Sequence, residues 1–264
     1  MESLRLIDSL ADGALLVALA SARFAVAFLL LPVFAPETVP ALVRNTIFIG
    51  FGLITLAVQP ALAVAAWSAG HWLLLFGREA LLGLGFGVLL GAVLWAFEAA
   101  GQIVDAKVGA TLAQVQDPLS GHQSSLSGAL LSRLAMFLFM AGGGFLALVA
   151  VIVQSFALWP LAQTGLQFQA ADVQVFEGAF ASLMVLAFMF AAPALVLLYG
   201  LDLALGLVNR FAPQLNLISV SMSLKSVAAT LIWVLLFTPL VEAMLAHIDD
   251  GVAGLLPALK VWAP

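Results

Sequence analysis

Two long stretches of this sequence, residues 45–77 and 134–171, contain no aspartate, glutamate, lysine or arginine. Each exceeds the ~20 apolar residues that an α-helix needs to cross the hydrocarbon core of a bilayer. In lipid the backbone polar groups must be satisfied within a helix or around a closed barrel, and barrel strands alternate polar with apolar positions. These stretches do not alternate, so the chain is expected to be an all-α integral membrane protein. Composition agrees: of 264 residues, 64% are hydrophobic and 9% charged, against roughly 25% charged in an ordinary soluble domain.

Hydropathy predicts about six helical spans, at residues 13–34, 45–66, 80–97, 134–160, 178–201 and 226–246. An even number places both termini on one side. Basic residues then divide as Arg44, Lys107, Arg133, Arg210 and Lys225 in the odd-numbered connections, against Arg5, Arg78 and Lys260 on the other face. That asymmetry puts the termini outside. Glu2, Asp8 and Asp12 beside Arg5 are unlike the basic start of a cleaved signal peptide, so the first segment is expected to remain as a span. The longest polar connection covers only residues 98–133, which predicts one membrane domain over 1–264.

Several chemistries are excluded at this level. The chain has no cysteine, so disulfides, thiolate metal sites and thiol nucleophiles are ruled out. His71, His122 and His247 are isolated, and neither a paired-histidine metal helix nor a serine elbow is present. No phosphate-cradling loop occurs, so any use of ATP lies in a partner. The net charge of −5 is scattered, without a basic patch for nucleic acid. No metal, cofactor or enzymatic activity is expected.

Inside the apolar segments a few residues stand out. Gly83, Gly87 and Gly91 recur every four residues on one helical face, where another backbone can approach closely, from a partner subunit or from this chain itself. Gly142, Gly143 and Gly144 interrupt the fourth segment and predict a bend or a tight crossing. Arg23 sits mid-span, where an unpaired arginine costs about 2.5–3.5 kcal/mol on insertion scales, so it must reach a partner. Asp202 and Glu98 are the candidate partners, and the sequence leaves the choice open.

The stretch VQDPLSGHQSSLSG, residues 115–128, lacks a hydrophobic stripe between two apolar segments. Asp117, His122, Ser124 and Ser125 are the nearest thing to a catalytic constellation, but a triad is a spatial arrangement that this spacing does not supply. Asp117-Pro118 opens a turn and Ser120-Gly121 continues it. Residues 210–225, directly after Asn209, form a second polar region, with Arg210, Pro213, Gln214, Asn216, Ser219, Ser221, Ser223 and Lys225. It is too polar for lipid and too weakly charged for a free loop, so a turn against partner subunits is expected there.

In order along the chain, Phe34-Ala35-Pro36 with Val39-Pro40, then Gly101-Gln102-Ile103-Val104-Asp105 with Lys107-Val108-Gly109-Ala110, then Asp117-Pro118-Leu119-Ser120-Gly121, resemble the FliR/SctT family of type III secretion export-apparatus proteins. Gly142-Gly143-Gly144-Phe145, Leu158-Trp159-Pro160, Asn209-Arg210-Phe211-Ala212-Pro213-Gln214-Leu215-Asn216 and Ser223-Leu224-Lys225-Ser226 continue the likeness over about residues 20–240. Residues 117–125, Gly143-Gly144-Phe145 and Leu158-Trp159-Pro160 are closer to the virulence-type SctT branch than to flagellar FliR.

The resemblance implies a non-enzymatic export-gate subunit of the bacterial inner membrane. It implies one copy in a ring with SctR-like (FliP-like) and SctS-like (FliQ-like) subunits, near an SctU-like (FlhB-like) switch protein. Unfolded substrates, including rod and needle proteins, pass through. It also implies that residues 1–200 are like one gate subunit and 201–264 like a helical pair of the other, as bent hairpins partly lifted out of the bilayer plane. Residues 109–128 are then a lumen-facing closure built on Gly109, Ala110, Thr111, Leu112, Val115, Asp117 and Pro118. Leu112 and Val115 suit a dewetting constriction, or else are the apolar end of a packed helix. Arg210, Pro213, Gln214, Asn216 and Lys225 fall in the expected partner contact. A small-molecule transporter using Arg23, Asp202 and Lys225 as ligands is the rival reading.

Overall fold

The computed structural model describes residues 2–35, 39–58, 67–109, 125–163, 173–211 and 217–260. Among them every regular element is helical. In chain order these are α1 (Glu2–Leu29), a 3₁₀ turn (Pro32–Phe34), α2 (Ala41–Val58), α3 (Ala69–Val108), α4 (Leu126–Ala141), α5 (Gly144–Leu158), α6 (Val173–Phe211), α7 (Leu217–Leu235) and α8 (Phe237–Leu259). The protein is all-α, as its charge-free stretches require.

The helices do not follow the six expected spans, and each departure has a local cause. Three segments are long and apolar enough to cross a membrane: Leu10–Leu29, Ala69–Val108 and Val173–Phe211. Two further pairs qualify only when joined across a bend, Leu126–Ala141 with Gly144–Leu158 and Val220–Leu235 with Phe237–Leu259. In α2 the apolar run Ala41–Ala57 is shorter than a span, and residues 59–66, the rest of the expected second span, lie outside the described residues.

The third segment, expected at 80–97, is the middle of a helix of 40 residues. At 1.5 Å per residue α3 is about 60 Å long, twice the ~30 Å hydrocarbon core. Hydropathy stops at Arg78 and Glu98, whereas the helix runs through them because both side chains find polar partners. With α6 also 39 residues long, the described residues hold three to five spans rather than six simple crossings, and the parity argument for the termini loses its basis.

The fourth expected span, 134–160, breaks at the glycines. Gly142 ends α4, its N–H donating to the Leu138 carbonyl at 2.8 Å, and Gly143 has φ +83°, a left-handed conformation that costs glycine little. Gly144 then opens α5. The sixth, 226–246, breaks at Leu236, between α7 and α8. Pro239 in the first turn of α8 has no N–H for the Leu235 carbonyl, which removes one helical hydrogen bond at the bend.

The chain packs as two compact units. One contains Met1–Gly91, Gly143–Ala179 and Asp249–Pro264, the other Ala92–Gly142 and Phe180–Ile248. In the first, α1 buries a stripe at i, i+4 spacing: Leu19, Ala20, Arg23, Phe24, Ala27 and Phe28. A Cβ on Gly83 of α3 would lie 2.6 Å from the Arg23 carbonyl oxygen, and one on Gly87 2.9 Å from that of Ala27. The glycine face is thus a backbone contact between α3 and α1; Gly91 is also buried. Phe24, Phe28, Phe34, Phe48, Phe51, Phe145 and Phe156 form an aromatic core beside it, with Phe28 and Phe34 stacked at 5.0 Å between centroids.

In the second unit the end of α3 meets the start of α4. Gly101 has no room for a Cβ against the Ser127 and Gly128 backbone. Phe97 meets Phe190 edge to face at 4.9 Å, and Phe190 meets His247 at 5.7 Å.

Leucine at position 83 would need α1 to move away from α3. Gly83→Leu is expected to cost at least the 1–3 kcal/mol typical of overpacking, read as a lower melting temperature and lower yield in detergent. Wild-type stability in that variant would refute the α1–α3 backbone contact.

Candidate functional site

Two polar constellations interrupt the apolar packing, one in each unit. The first is built on the core-facing stripes of α1, α3 and α5, so three helices bring Arg23, Glu79 and Ser155 to one point. Arg23 Nε donates to Glu79 Oε2 at 2.7 Å and Nη2 to Glu79 Oε1 at 3.0 Å, a bidentate pair. Nη2 also donates to the Trp159 carbonyl at 3.1 Å, and Nη1 to Ser155 Oγ at 2.6 Å. The Ser155 hydroxyl donates in turn to the Ile152 carbonyl. The Phe156 ring lies 3.7 Å beneath the guanidinium carbon. Both charged side chains are wholly buried, with 0% exposure.

This corrects the expected pairing of Arg23. Its partner is Glu79, not Asp202 or Glu98. The Glu98 carboxylate accepts from Ser132 Oγ at 3.2 Å and from Gln102 at 3.1 Å, and Asp202 has lysine partners. Sequence reasoning missed Glu79 because it lies one residue before the predicted third span, 80–97, and so was not weighed as a partner within the apolar segments. The available signal was the adjacent Arg78-Glu79 pair with long apolar runs on both sides.

The second constellation surrounds the two ends of the connection between α3 and α4. Gly109 terminates α3 with φ +95°, its N–H donating to the Asp105 and Ala106 carbonyls, both at 3.2 Å. One turn earlier, the Asp105 carboxylate oxygen Oδ2 accepts from Ser125 Oγ at 2.7 Å and from the Ser127 N–H at 2.8 Å. Ser125 is also the N-cap of α4, its Oγ accepting from the Gly128 N–H at 2.9 Å. A single carboxylate therefore ties the departure of the connection to its return. Residues 110–124, with Ala110, Thr111, Leu112, Val115, Asp117 and Pro118, lie outside the described residues.

Lys107, in the last turn of α3, anchors the same end to other helices. Its Nζ pairs with Asp202 Oδ2 of α6 at 2.7 Å and lies 3.8 Å from the Tyr199 ring centroid. Lys225 of α7 pairs with the other oxygen of Asp202. Lys225, expected in a partner contact, thus has an ion pair within the chain, while Arg210 is exposed at the end of α6. The polar region expected as a turn is helical from Leu217 onward; Pro213, Gln214 and Asn216 lie outside the described residues. Among the described residues no cluster of histidine, aspartate and glutamate could hold a metal ion.

Removing one member of the buried pair leaves an uncompensated charge. Glu79→Gln is expected to destabilise the protein by about 3–5 kcal/mol, whereas Arg23→Met with Glu79→Met costs less than that single change. Detergent melting curves of the variants check the order, and a double variant weaker than Glu79→Gln would contradict it.

Comparison with known proteins extends these observations. The model of a family described as bacterial export proteins, family 1, matches residues 14–251. Yop proteins translocation protein T of Yersinia pestis is 32% identical over 246 residues, 90% of this chain and 93% of the relative. Surface presentation of antigens protein SpaR of Salmonella typhimurium is 30% identical over 241 residues, 90% of this chain and 89% of the relative. Flagellar biosynthetic protein FliR of Bacillus subtilis is 31% identical over 211 residues, 77% of this chain and 78% of the relative.

Proposed function

Because this chain belongs to the bacterial export proteins, family 1, and to the virulence-type branch of the FliR/SctT family, we propose that it is a non-enzymatic subunit of a type III secretion export gate. It sits in the bacterial inner membrane as a multi-pass protein. With SctR-like and SctS-like subunits it forms the narrow entry channel for unfolded protein substrates, and its 109–128 segment contributes the closure. An SctU-like switch protein contacts the region of Arg210, Pro213, Gln214, Asn216 and Lys225.

The observation that supports the closure is the Asp105 clasp. A segment that blocks a pore and yields to a passing polypeptide needs a fixed base, and Asp105 with Ser125 and Ser127 supplies one. The Lys107–Asp202–Lys225 ion pairs hold that base to α6 and α7. A narrow apolar constriction excludes water and ions by dewetting, the role assigned here to Leu112 and Val115. The transporter reading is weaker: the Arg23 guanidinium is engaged by Glu79, Ser155 and Trp159, and Asp202 by two lysines, so neither presents a free charge to a solute.

Leu112→Ser with Val115→Ser is expected to leave the complex assembled while raising membrane permeability to small ions. If these side chains only pack a helix, the same pair lowers complex yield instead, each losing about 1.5–3 kcal/mol of burial. Complex yield and ion leakage measured in the same cells separate the two, and an assembled, tight complex refutes the closure. Asp105→Ala removes two accepted hydrogen bonds, each worth about 1.5–3 kcal/mol to a charged group, and is expected to leak at normal assembly; a tight channel in that variant refutes the role of the clasp.

A further inference from the structure

The buried cluster around Arg23 is unbalanced. Glu79 is the carboxylate for two guanidinium groups, Arg23 and Arg78, and gives both its oxygens to Arg23. Arg78 is 3% exposed. Its Nη1 donates to the Pro160 carbonyl at 2.8 Å and makes only a long approach, 3.4 Å, to Glu79 Oε1. Its other edge, Nε and Nη2, is buried and has no acceptor. One carboxylate shared by two buried guanidinium groups leaves the cluster with excess positive charge, and each unmet buried donor adds to the penalty.

The orphaned edge belongs to a residue bordering an uncovered face of the same helix. Leu73, Leu74, Leu81 and Leu84 of α3 are exposed, at 74%, 64%, 44% and 38%. Gly77 lies between them at helical spacing, and nothing approaches within 4 Å of where its Cβ would be. The result is an apolar stripe with a notch in the middle, and Arg78 follows the notch by one residue. Bare lipid would cover the leucines but would leave the Nε and Nη2 edge of Arg78 without an acceptor.

We propose that this face of α3, from Leu73 to Leu84, is the docking site for an apolar helix of another subunit that brings one carboxylate to Arg78. The leucines pack along the incoming helix, and the Gly77 notch lets the two backbones approach closely. Nε and Nη2 of Arg78 then receive the carboxylate as a fork, the geometry in which guanidinium and carboxylate pair bidentately. Two arginines then face two carboxylates and the cluster is neutral. The inference rests on the hetero-oligomeric part of the proposed function and is independent of the closure.

The test places a photoreactive amino acid at position 77 of the full-length chain in native membranes, with the attached peptide identified by mass spectrometry. The expected adduct is an apolar segment of a different polypeptide with an aspartate or glutamate within about one turn of the attachment point. Arg78→Gln should lower its yield at least tenfold relative to inserted chain. Because that substitution also touches the Pro160 contact, Leu81→Trp provides a second variant that obstructs the face and leaves the ionic cluster intact; it should lower the yield similarly at unchanged chain level. An adduct only to lipid, to a second copy of this chain or to a segment without an acid overturns the site, as does an unchanged yield in either variant. If export-gate subunits co-purify while position 77 captures only lipid, the gate assignment stands and this docking site falls.

Discussion

The bidentate pair between Arg23 and Glu79 is the interaction on which the first unit depends. A wholly buried arginine is tolerated only when its charge and its donors are met, and meeting them needs three chain segments in fixed register. Arg23 occupies the same stripe of α1 as Phe24, Ala27 and Phe28; Glu79 precedes Gly83 and Gly87 on α3 by one and two turns. Setting the ion pair therefore sets the depth at which the glycines meet the α1 backbone. Ser155 and the Trp159 carbonyl place the end of α5 against the same guanidinium, and the phenylalanine cluster fills the space around it. Charge determines the register, and apolar burial supplies most of the energy once it is set.

α3 contributes its first part to one compact unit and its last part to the other, and each part carries a carboxylate with a positional role. Glu79 acts through a buried charge pair. Asp105 acts through hydrogen bonds to a neighbouring helix start, where it competes with solvent less than an exposed side chain would. The close approach at Gly101 makes that contact possible, since any side chain there would push the first turn of α4 away from the Asp105 carboxylate. Small residues and single carboxylates thus work as pairs: the glycine removes distance and the carboxylate gives the contact direction.

The same logic explains how charged residues are carried through helices that are otherwise apolar. Lys107, Asp202 and Lys225 meet across three helices, and the Tyr199 ring shields one of the lysines. Glu98 is satisfied by Ser132 and Gln102. α3 consequently extends well beyond the thickness of a bilayer core, because charges that would end a lipid-facing span are paired within protein.

By itself, the sequence determined the all-α membrane class, the absence of thiol chemistry, the interruption at Gly142 to Gly144, the requirement that Arg23 be paired, and a family likeness carried by motifs along most of the chain. These are properties of composition, local backbone freedom or motif order, and no distant contact is needed to read them. Tertiary structure decided which carboxylate Arg23 takes, that Asp202 serves two lysines, that the Gly83 and Gly87 face is closed by α1, and that α3 runs through its charged residues for 40 positions. Hydropathy assigns a cost to each charge as though it stood alone in lipid. The partner that cancels the cost lies 56 residues away for Arg23, and only the packing of α1 against α3 makes the two neighbours.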